Sequence, residues 1–584
     1  MHDSLPPPGP PTLPPRSAAP TRAAASGAAA TTTPPSPLGR DARDVRVGLL
    51  DADPTDALVA QPWAHGGAAE PADEPRWSWA TFGGYLGALA TVIVAIALSY
   101  AVPELARFRP WAPGDPLPFW NLVGRELLGE GRSEQAKSAA VAELATTLLA
   151  PEAPLAPKVI PPRPPEVAES PSGSPAPPLP APHPDDALPV PRSLDDPSGK
   201  ALDRFFAQLA RTERGEPGAI TRIGHWGDSA IGLDHVSAPA RERMQARFGD
   251  AGHGFHLITP SNTSYRHKGV EFRELAPWEL CFVIFRCRED GRYGYGGTVF
   301  WSAGGGRSRF ATVAGEGFGS AVSRFEVWYA ARPRGGRIEV RVDRGEPIVV
   351  DTALATATDG EADATAAAGE DRWHTVAVAD GAHEFDVRAA GGGRVTLYGV
   401  VLERDGPGVV WDGLSQVGAF TNRLAAFDRA HIHGQVARRG VNLVVLTLGG
   451  NDLLATSKSM PTYRDELRQV LELLRGPDRA DCLVMGPVDH GVRVDGRIES
   501  NPMVAKITDA QRRVAAEQGC AFFDTLAVMG GDGGAAAWRR HDPPLLSGDL
   551  AHLTPAGSTL MGRMLYLALM EQYRGWGARQ RAGG

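Results

Sequence analysis

Proline placement constrains this chain more than any other feature, because 28 of its 51 prolines fall in residues 1–40 and 151–200. Proline has no amide hydrogen to give to a helix or a sheet ladder, and neither stretch holds the apolar residues that a core needs. Both are therefore expected to be extended or disordered, and whatever folds must be built from the rest. That remainder is well supplied: 13 Trp, 19 Phe and a 42% hydrophobic content across 584 residues are enough for a sizeable core. With 60 basic against 68 acidic residues, a formal net charge of −8, there is no basic footprint for a nucleic-acid backbone, and nucleic acid is not expected as a partner. Four cysteines without a C-x-x-C pair exclude a disulfide scaffold and a thiolate zinc site.

Between the two Pro-rich stretches, Trp77–Val102 runs for 26 residues without a charge or a histidine. That is long enough to cross about 30 Å of hydrocarbon as a helix, so the run is expected to be a single transmembrane helix. Trp77, Trp79, Tyr100 and Trp111 suit interfacial belts, and Pro103 suits a stop. Arg76 stands alone on one side and Arg107, Arg109 and Arg125 on the other, a count that favours a cytoplasmic C-terminal part. The function that the motifs below imply needs the opposite orientation, so the two signals conflict and the orientation stays open, with a lean to a cytoplasmic N-terminus and an extracytoplasmic C-terminal part. The expected organisation is a disordered 1–76, the membrane helix 77–102, a juxtamembrane region 103–150 with a short helix, and a Pro-rich linker 151–200. As polyproline II that linker would reach up to about 150 Å.

Beyond residue 200 the pattern is that of ordered protein. Leu202, Phe205, Phe206 and Leu209 fall at helical spacing, and Ile220–Ser229 reads as a strand ending in a small-residue turn. A helix over Ser237–Phe248 follows, with Ser237 as its cap. From 265 to 405 short β-branched and aromatic runs alternate with Gly, Asp and Pro turns, the pattern of an all-β sandwich. Leu280–Cys287 is one of these runs; as a single strand it would hold Cys281 and Cys287 about 20 Å apart, too far to bridge. From 406 to 584 an α/β rhythm returns. Val441–Leu448 is a doubly covered parallel strand, Thr462–Arg475 and Asp509–Gln518 are helices, Cys482–Gly486 and Cys520–Phe523 are strands, and Pro555 opens a helix capped by Thr554. Cys482 and Cys520 begin neighbouring strands and are expected as buried free thiols rather than a pair. The fold class is α/β, a flavodoxin-like parallel sheet with helices on both faces (201–264 and 406–584), interrupted by the β-sandwich at 265–405.

Three segments carry groups that nucleophilic hydrolysis needs, and loops at the carboxyl ends of parallel strands can bring them together. They are Gly227-Asp228-Ser229, Gly449-Gly450-Asn451-Asp452 and Asp549-Leu-Ala-His552. Ser229 needs a base, His552 can supply it, and Asp549 can hold the imidazole. The oxyanion formed on an attacked ester needs donors: the Ser229 N–H, the Asn451 amide and the Gly418 N–H. In these three segments, with Gly418 as a fourth block, the sequence resembles the SGNH (GDSL-type) hydrolases, and the inserted β domain with Met529-Gly530-Gly531 and Trp538 resembles the cell-envelope branch that includes peptidoglycan O-acetylesterases. The resemblance implies Ser229 as nucleophile, His552 as base, Asp549 as its orienting acid, an oxyanion hole of Ser229, Gly418 and Asn451, no cofactor or metal, an acylated glycan such as peptidoglycan as substrate, and a carbohydrate-binding-like insert. No G-x-S-x-G occurs, against the α/β-hydrolase route to the same triad.

Other features carry less. His225 and Asp234 flank Ser229 and either shape its pocket or fill ordinary loop positions. His431 and His433 are too few for a metal site. Trp278, Tyr293, Tyr295, Trp301 and Trp328 either stack on sugar or fill the sandwich core. The expected function is a membrane-anchored serine esterase acting outside the cytoplasm on O-acetyl groups of an envelope glycan. The alternatives are acyl transfer to a sugar hydroxyl, with the same residues, and an inactive glycan-binding scaffold.

Overall fold

The structure, a computed structural model, describes residues 79–101, 130–152, 154–160, 183–315, 317–354 and 369–583. The expected disordered region 1–76 lies outside these, as does the middle of the Pro-rich linker.

Five parallel strands form the central sheet, in the order Gly408–Ser415, Ile220–Gly227, Leu443–Thr447, Asp481–Met485, Ala521–Phe523. Their near-continuous apolar sequences reflect cover on both faces. In Leu443–Thr447, Val444 and Leu446 face a core with Leu467, Val470 and Val514 from the helices Met460–Leu474 and Pro502–Gln518. Leu443 and Val445 face the other way, onto Phe205, Met244 and Leu565 from the helices Asp203–Glu213, Ser237–Phe248 and Pro555–Gly583. The α/β expectation thus holds, with one strand unforeseen: Gly408–Ser415 has its aspartate and glycine mid-run, which hid it.

The insert is two antiparallel sheets packed face to face. One runs Glu370–Gly381, Val322–Ala331, Val395–Glu403, Thr298–Ser302, Glu279–Phe282, and Gly252–His256 pairs with Val395–Glu403; the other runs Val270–Ala276, Arg307–Thr312, Glu384–Ala389, Arg337–Val342, Ile348–Asp351. Phe325 and Phe385 stack between them at 4.3 Å. The sandwich is not a bead on a string. Its core is continuous with that of the α/β half through Trp226, Phe255, Tyr295 and Trp328. A buried charge cluster ties the same junction: Arg439 grips Asp412 at 2.7 and 2.8 Å and also reaches Glu403, Arg222 holds Glu403, and Tyr295 Oη donates to Asp412 at 2.9 Å.

Several expectations are corrected. The Leu280–Cys287 strand stops at Phe282, gives a helical turn at Val283–Phe285, and reverses at Arg286 with φ 51°. The fold-back brings Cys281 and Cys287 to a Cα separation of 5.9 Å and they form a disulfide. Cys482 and Cys520 are also disulfide-bonded, Cα atoms 4.7 Å apart, because the strands they begin are direct neighbours. Ser237 does not cap its helix; its hydroxyl donates to Asp234 at 2.6 Å.

The Pro-rich linker is not a free spacer over its described parts. Helix Glu130–Leu148 buries Val141, Ala145 and Leu148 against the hydrolase core. Lys158 carbonyl accepts the Asp250 N–H at 2.7 Å, and Asp195 pairs antiparallel with Phe522 at the sheet edge. Trp79–Ala101 is helical for 23 residues, with Leu89, Val92, Ile93, Val94 and Leu98 exposed along it. Among the described residues no helix is long and apolar enough to cross a membrane, so the expected transmembrane helix Trp77–Val102 is not shown.

Candidate active site

The sheet order places Ile220–Gly227 beside Leu443–Thr447, with Gly227 opposite Thr447. The chain leaves the first of these strands toward Gly408–Ser415 on one side and returns to Leu443–Thr447 on the other, so the loops that follow both strands meet at a switch point.

The first loop begins where Asp228 takes an extended conformation and its carboxylate accepts the Ala230 N–H at 2.9 Å, capping the helical turn that starts at Ser229. As first residue of that turn, Ser229 has an N–H with no intrahelical partner. The turn is anchored at its far end by Asp234, buried and paired with Arg241 at 2.7 Å. On the second loop, Asp452 fixes the position of Asn451: its carboxylate accepts Thr421 N–H and Oγ1 at 2.9 and 2.8 Å and pairs with Lys458 at 2.9 Å. Gly449 has φ 114°, and a Cβ there would lie 2.8 Å from Gln511 Nε2, so glycine is required.

His552 reaches the switch point from the loop before the Pro555–Gly583 helix. Ser229 Oγ and His552 Nε2 are 2.8 Å apart, and His552 Nδ1 lies 2.7 Å from Asp549 Oδ2. Asp549 Oδ1 accepts the Ala551 and His552 N–H groups at 3.0 and 3.1 Å and the Ser547 hydroxyl, which fixes the carboxylate in place. The hydrogen bond that His552 donates to Asp549 raises the His552 pKa above its ordinary value, against the effect of burial. Burial pushes Asp549 upward, but its bonds from His552, Ser547 and the two backbone groups outweigh that and hold it well below the usual carboxylate range. The pair is therefore an imidazole ready to take a proton beside a carboxylate that stays charged.

Asn451 Nδ2 donates to Asp228 Oδ2 at 3.3 Å and to the Ala419 carbonyl at 3.2 Å. Gly418 precedes Ala419, so its peptide N–H borders the same space; its φ of 80° is left-handed, and among the described residues its N–H meets no protein acceptor. Burial pushes Asp228 up to about 6, with its bond from Ala230 and the charge of His552 opposing.

The structure thus brings Ser229, Asp549, His552 and Asn451 together and sets Gly418 beside them. It places the lesser candidates elsewhere. His225 is buried between Thr447 and Trp411, and His431 ties the insert to the hydrolase half through Asp371 and the Gly294 N–H. His433 bonds the Glu472 carbonyl. Trp278, Tyr293, Tyr295 and Trp328 are core; Trp301 is half-buried, bonded to Glu279 and covered by Arg394. Sequence reading missed the carboxyl role of Asp228, the staple at Asp452, and His490, which enters the site after the Asp481–Met485 strand. A histidine just past an apolar strand was the available signal.

Residues 357–560 match the family described as GDSL-like lipase/acylhydrolase. Over these residues the chain carries a GDSL-like lipase/acylhydrolase domain. Within the matched span lie Gly418, Asn451, Asp549 and His552; Ser229 lies upstream of it, across the insert, and only the fold reunites the set. Among solved structures, a peptidoglycan O-acetylesterase shares the fold with a TM-score of 0.53 at 18% identity, over 65% of this chain and 99% of that one. An acetyl xylan esterase gives a TM-score of 0.22 at 15% identity, over 27% of this chain and 79% of that one. A family two carbohydrate esterase from Clostridium thermocellum gives 0.21 at 11%, over 52% and 100%. No curated protein matches the sequence.

Proposed function

We propose that this GDSL-type esterase removes O-acetyl groups from an envelope glycan, with Ser229 as nucleophile, His552 as base and Asp549 as orienting acid. The observation that carries the reading is the unbroken hydrogen-bonded line Ser229 Oγ, His552 Nε2, His552 Nδ1, Asp549 Oδ2, with separations of 2.8 and 2.7 Å. Ser229 Oγ gives its proton to His552 Nε2 and attacks the acetyl carbonyl. The oxyanion accepts from the Ser229 and Gly418 N–H groups and from the Asn451 amide, whose present bonds to Asp228 and Ala419 are long enough to yield to a charged acceptor. The sugar oxygen leaves with the His552 proton, an acetyl-Ser229 ester remains, and a water deprotonated by His552 releases acetate.

A half-buried Ser229 and an Asp549 side chain 37% exposed leave the site open to water, which favours hydrolysis over acyl transfer. A glycan substrate is supported by the fold shared with a peptidoglycan O-acetylesterase. Action outside the cytoplasm is supported by the two disulfides, and membrane anchorage by the uncharged run Trp77–Val102 and the exposed apolar side chains of its helix. The test is acetate release from O-acetylated peptidoglycan by the full-length protein and by Ser229→Ala. Release by wild type alone supports the reading; release by both, or by neither, refutes it, and acetyl transferred to an added sugar in place of free acetate would mark the transferase.

A further inference from the structure

The site holds one hydrogen-bonding group for which the hydrolysis just described has no use, the imidazole of His490. It lies on the loop after the Asp481–Met485 strand, and the loop is fixed at both ends of the residue: the Asn501 N–H donates to the His490 carbonyl at 2.7 Å, and the Gly491 N–H to the Leu550 carbonyl, in the catalytic Asp549–His552 loop, at 2.8 Å. The ring is oriented as firmly as the backbone. His490 Nδ1 is 2.8 Å from the Val488 carbonyl oxygen, and since a carbonyl can only accept, Nδ1 carries the hydrogen. Burial, with the nearby charge of His552 as a lesser cause, lowers the His490 pKa, which keeps the ring neutral. A neutral ring protonated at Nδ1 has a bare lone pair at Nε2.

That atom lies close to the loop that carries Asn451. A Cβ placed on Gly450, the residue before Asn451, would lie 3.4 Å from His490 Nε2 and 3.4 Å from Asp228 Oδ2. Nε2 and the carboxylate that holds the Asn451 amide therefore border the same space beside Gly450. Among the described residues no donor reaches it. Glycine at 450 leaves the gap open where any side chain would fill it.

We propose that His490 Nε2 accepts a hydrogen bond from the alcohol part of the ester, from a hydroxyl or amide N–H close to the acylated carbon, and so selects sugar esters over simple esters. The inference rests on the esterase reading above. An acetyl group has no N–H or O–H, so a donor that meets this acceptor must belong to the alcohol, and amino sugars and polyols carry such donors next to their ester positions.

The experiment compares two esters on the full-length protein. 4-Nitrophenyl acetate has no donor on its alcohol part; a methyl glycoside of 6-O-acetyl-N-acetylglucosamine has both hydroxyls and an amide N–H. In His490→Asn the side-chain amide keeps an N–H near the Nδ1 position for the Val488 carbonyl and deletes the acceptor; in His490→Gln an amide oxygen reaches the Nε2 position. The expected result is a kcat/KM on the sugar ester about tenfold lower in His490→Asn, mostly through KM, and within about threefold of wild type in His490→Gln. The aryl ester should change by less than about threefold in both. Equal losses on the two esters would mean a structural histidine, no loss on either would mean no contact, and each overturns the proposal. A wild type inactive on both esters overturns the esterase reading, and the inference with it, which separates the two failures.

Discussion

Replacing Asp549 by Asn tests the electrostatics of the triad with little change of shape. Asp549 Oδ1 accepts from Ser547, Ala551 N–H and His552 N–H, and an amide oxygen can keep all three bonds. What changes is the atom facing His552 Nδ1 at 2.7 Å, which becomes an N–H in place of a carboxylate oxygen. Two losses follow. The imidazolium formed when Ser229 attacks loses a charge-assisted hydrogen bond, worth about 1.5–3 kcal/mol in general and here at the lower end, because the Asp549 side chain is 37% exposed. The ring also turns to its other tautomer, with the hydrogen on Nε2 aimed at Ser229, which blocks it as a base; this step alone has cost about 10⁴-fold in a related triad. The expected loss of kcat/KM on 4-nitrophenyl acetate is about 10²–10⁴-fold, with a thermal midpoint within a few degrees of wild type. The pH profile supplies a second reading. His552 works unprotonated and the carboxylate raises its pKa, so wild-type activity should rise with a midpoint above 6.5, and the residual activity of Asp549→Asn should rise at a lower pH. A loss under about threefold, or an unmoved midpoint, would refute the reasoning.

Asn451→Ala should lower kcat by about 10²–10³-fold, through loss of an oxyanion donor, and leave the pH midpoint in place, as steady-state rates across pH would show. A chain starting at residue 201 loses the buried Val141, Ala145 and Leu148, about 3–6 kcal/mol of burial, and should melt about 5–10 °C below a chain starting at residue 130 in calorimetry. The Cys482–Cys520 disulfide closes a separation of 38 residues, so its reduction should lower stability by up to about 4 kcal/mol, read as a shifted urea midpoint with and without reductant.

What the sequence made legible follows from where the signal was local. The apolar run at Leu443–Thr447 and the helical spacing of Phe205, Phe206 and Leu209 report burial patterns within a few residues, and both elements stand where expected. The residues proposed as catalytic were legible because each sits at the end of a strand or before a helix, in a short motif of unusual composition. Contacts between distant segments were not. Arg286 in a left-handed conformation turned an expected strand into a disulfide-closed loop, and nothing in Leu280–Cys287 announces it. Residues 154–160 and 183–200, rich in proline, were read as spacer on composition; they are held by bonds to Asp250, Phe522 and Arg247 that come from elsewhere in the chain. His490 went unread because its meaning depends on Gly450, forty residues earlier in the chain.

The central claim is that Ser229 is a nucleophile activated by His552. The most direct measurement is intact and peptide mass spectrometry of the full-length protein after reaction with a serine-directed fluorophosphonate, run beside Ser229→Ala and His552→Ala. The account predicts one adduct per chain, on the peptide containing Ser229, absent from Ser229→Ala and strongly slowed in His552→Ala. A folded wild type that takes no adduct, or an adduct that persists in Ser229→Ala, would contradict it.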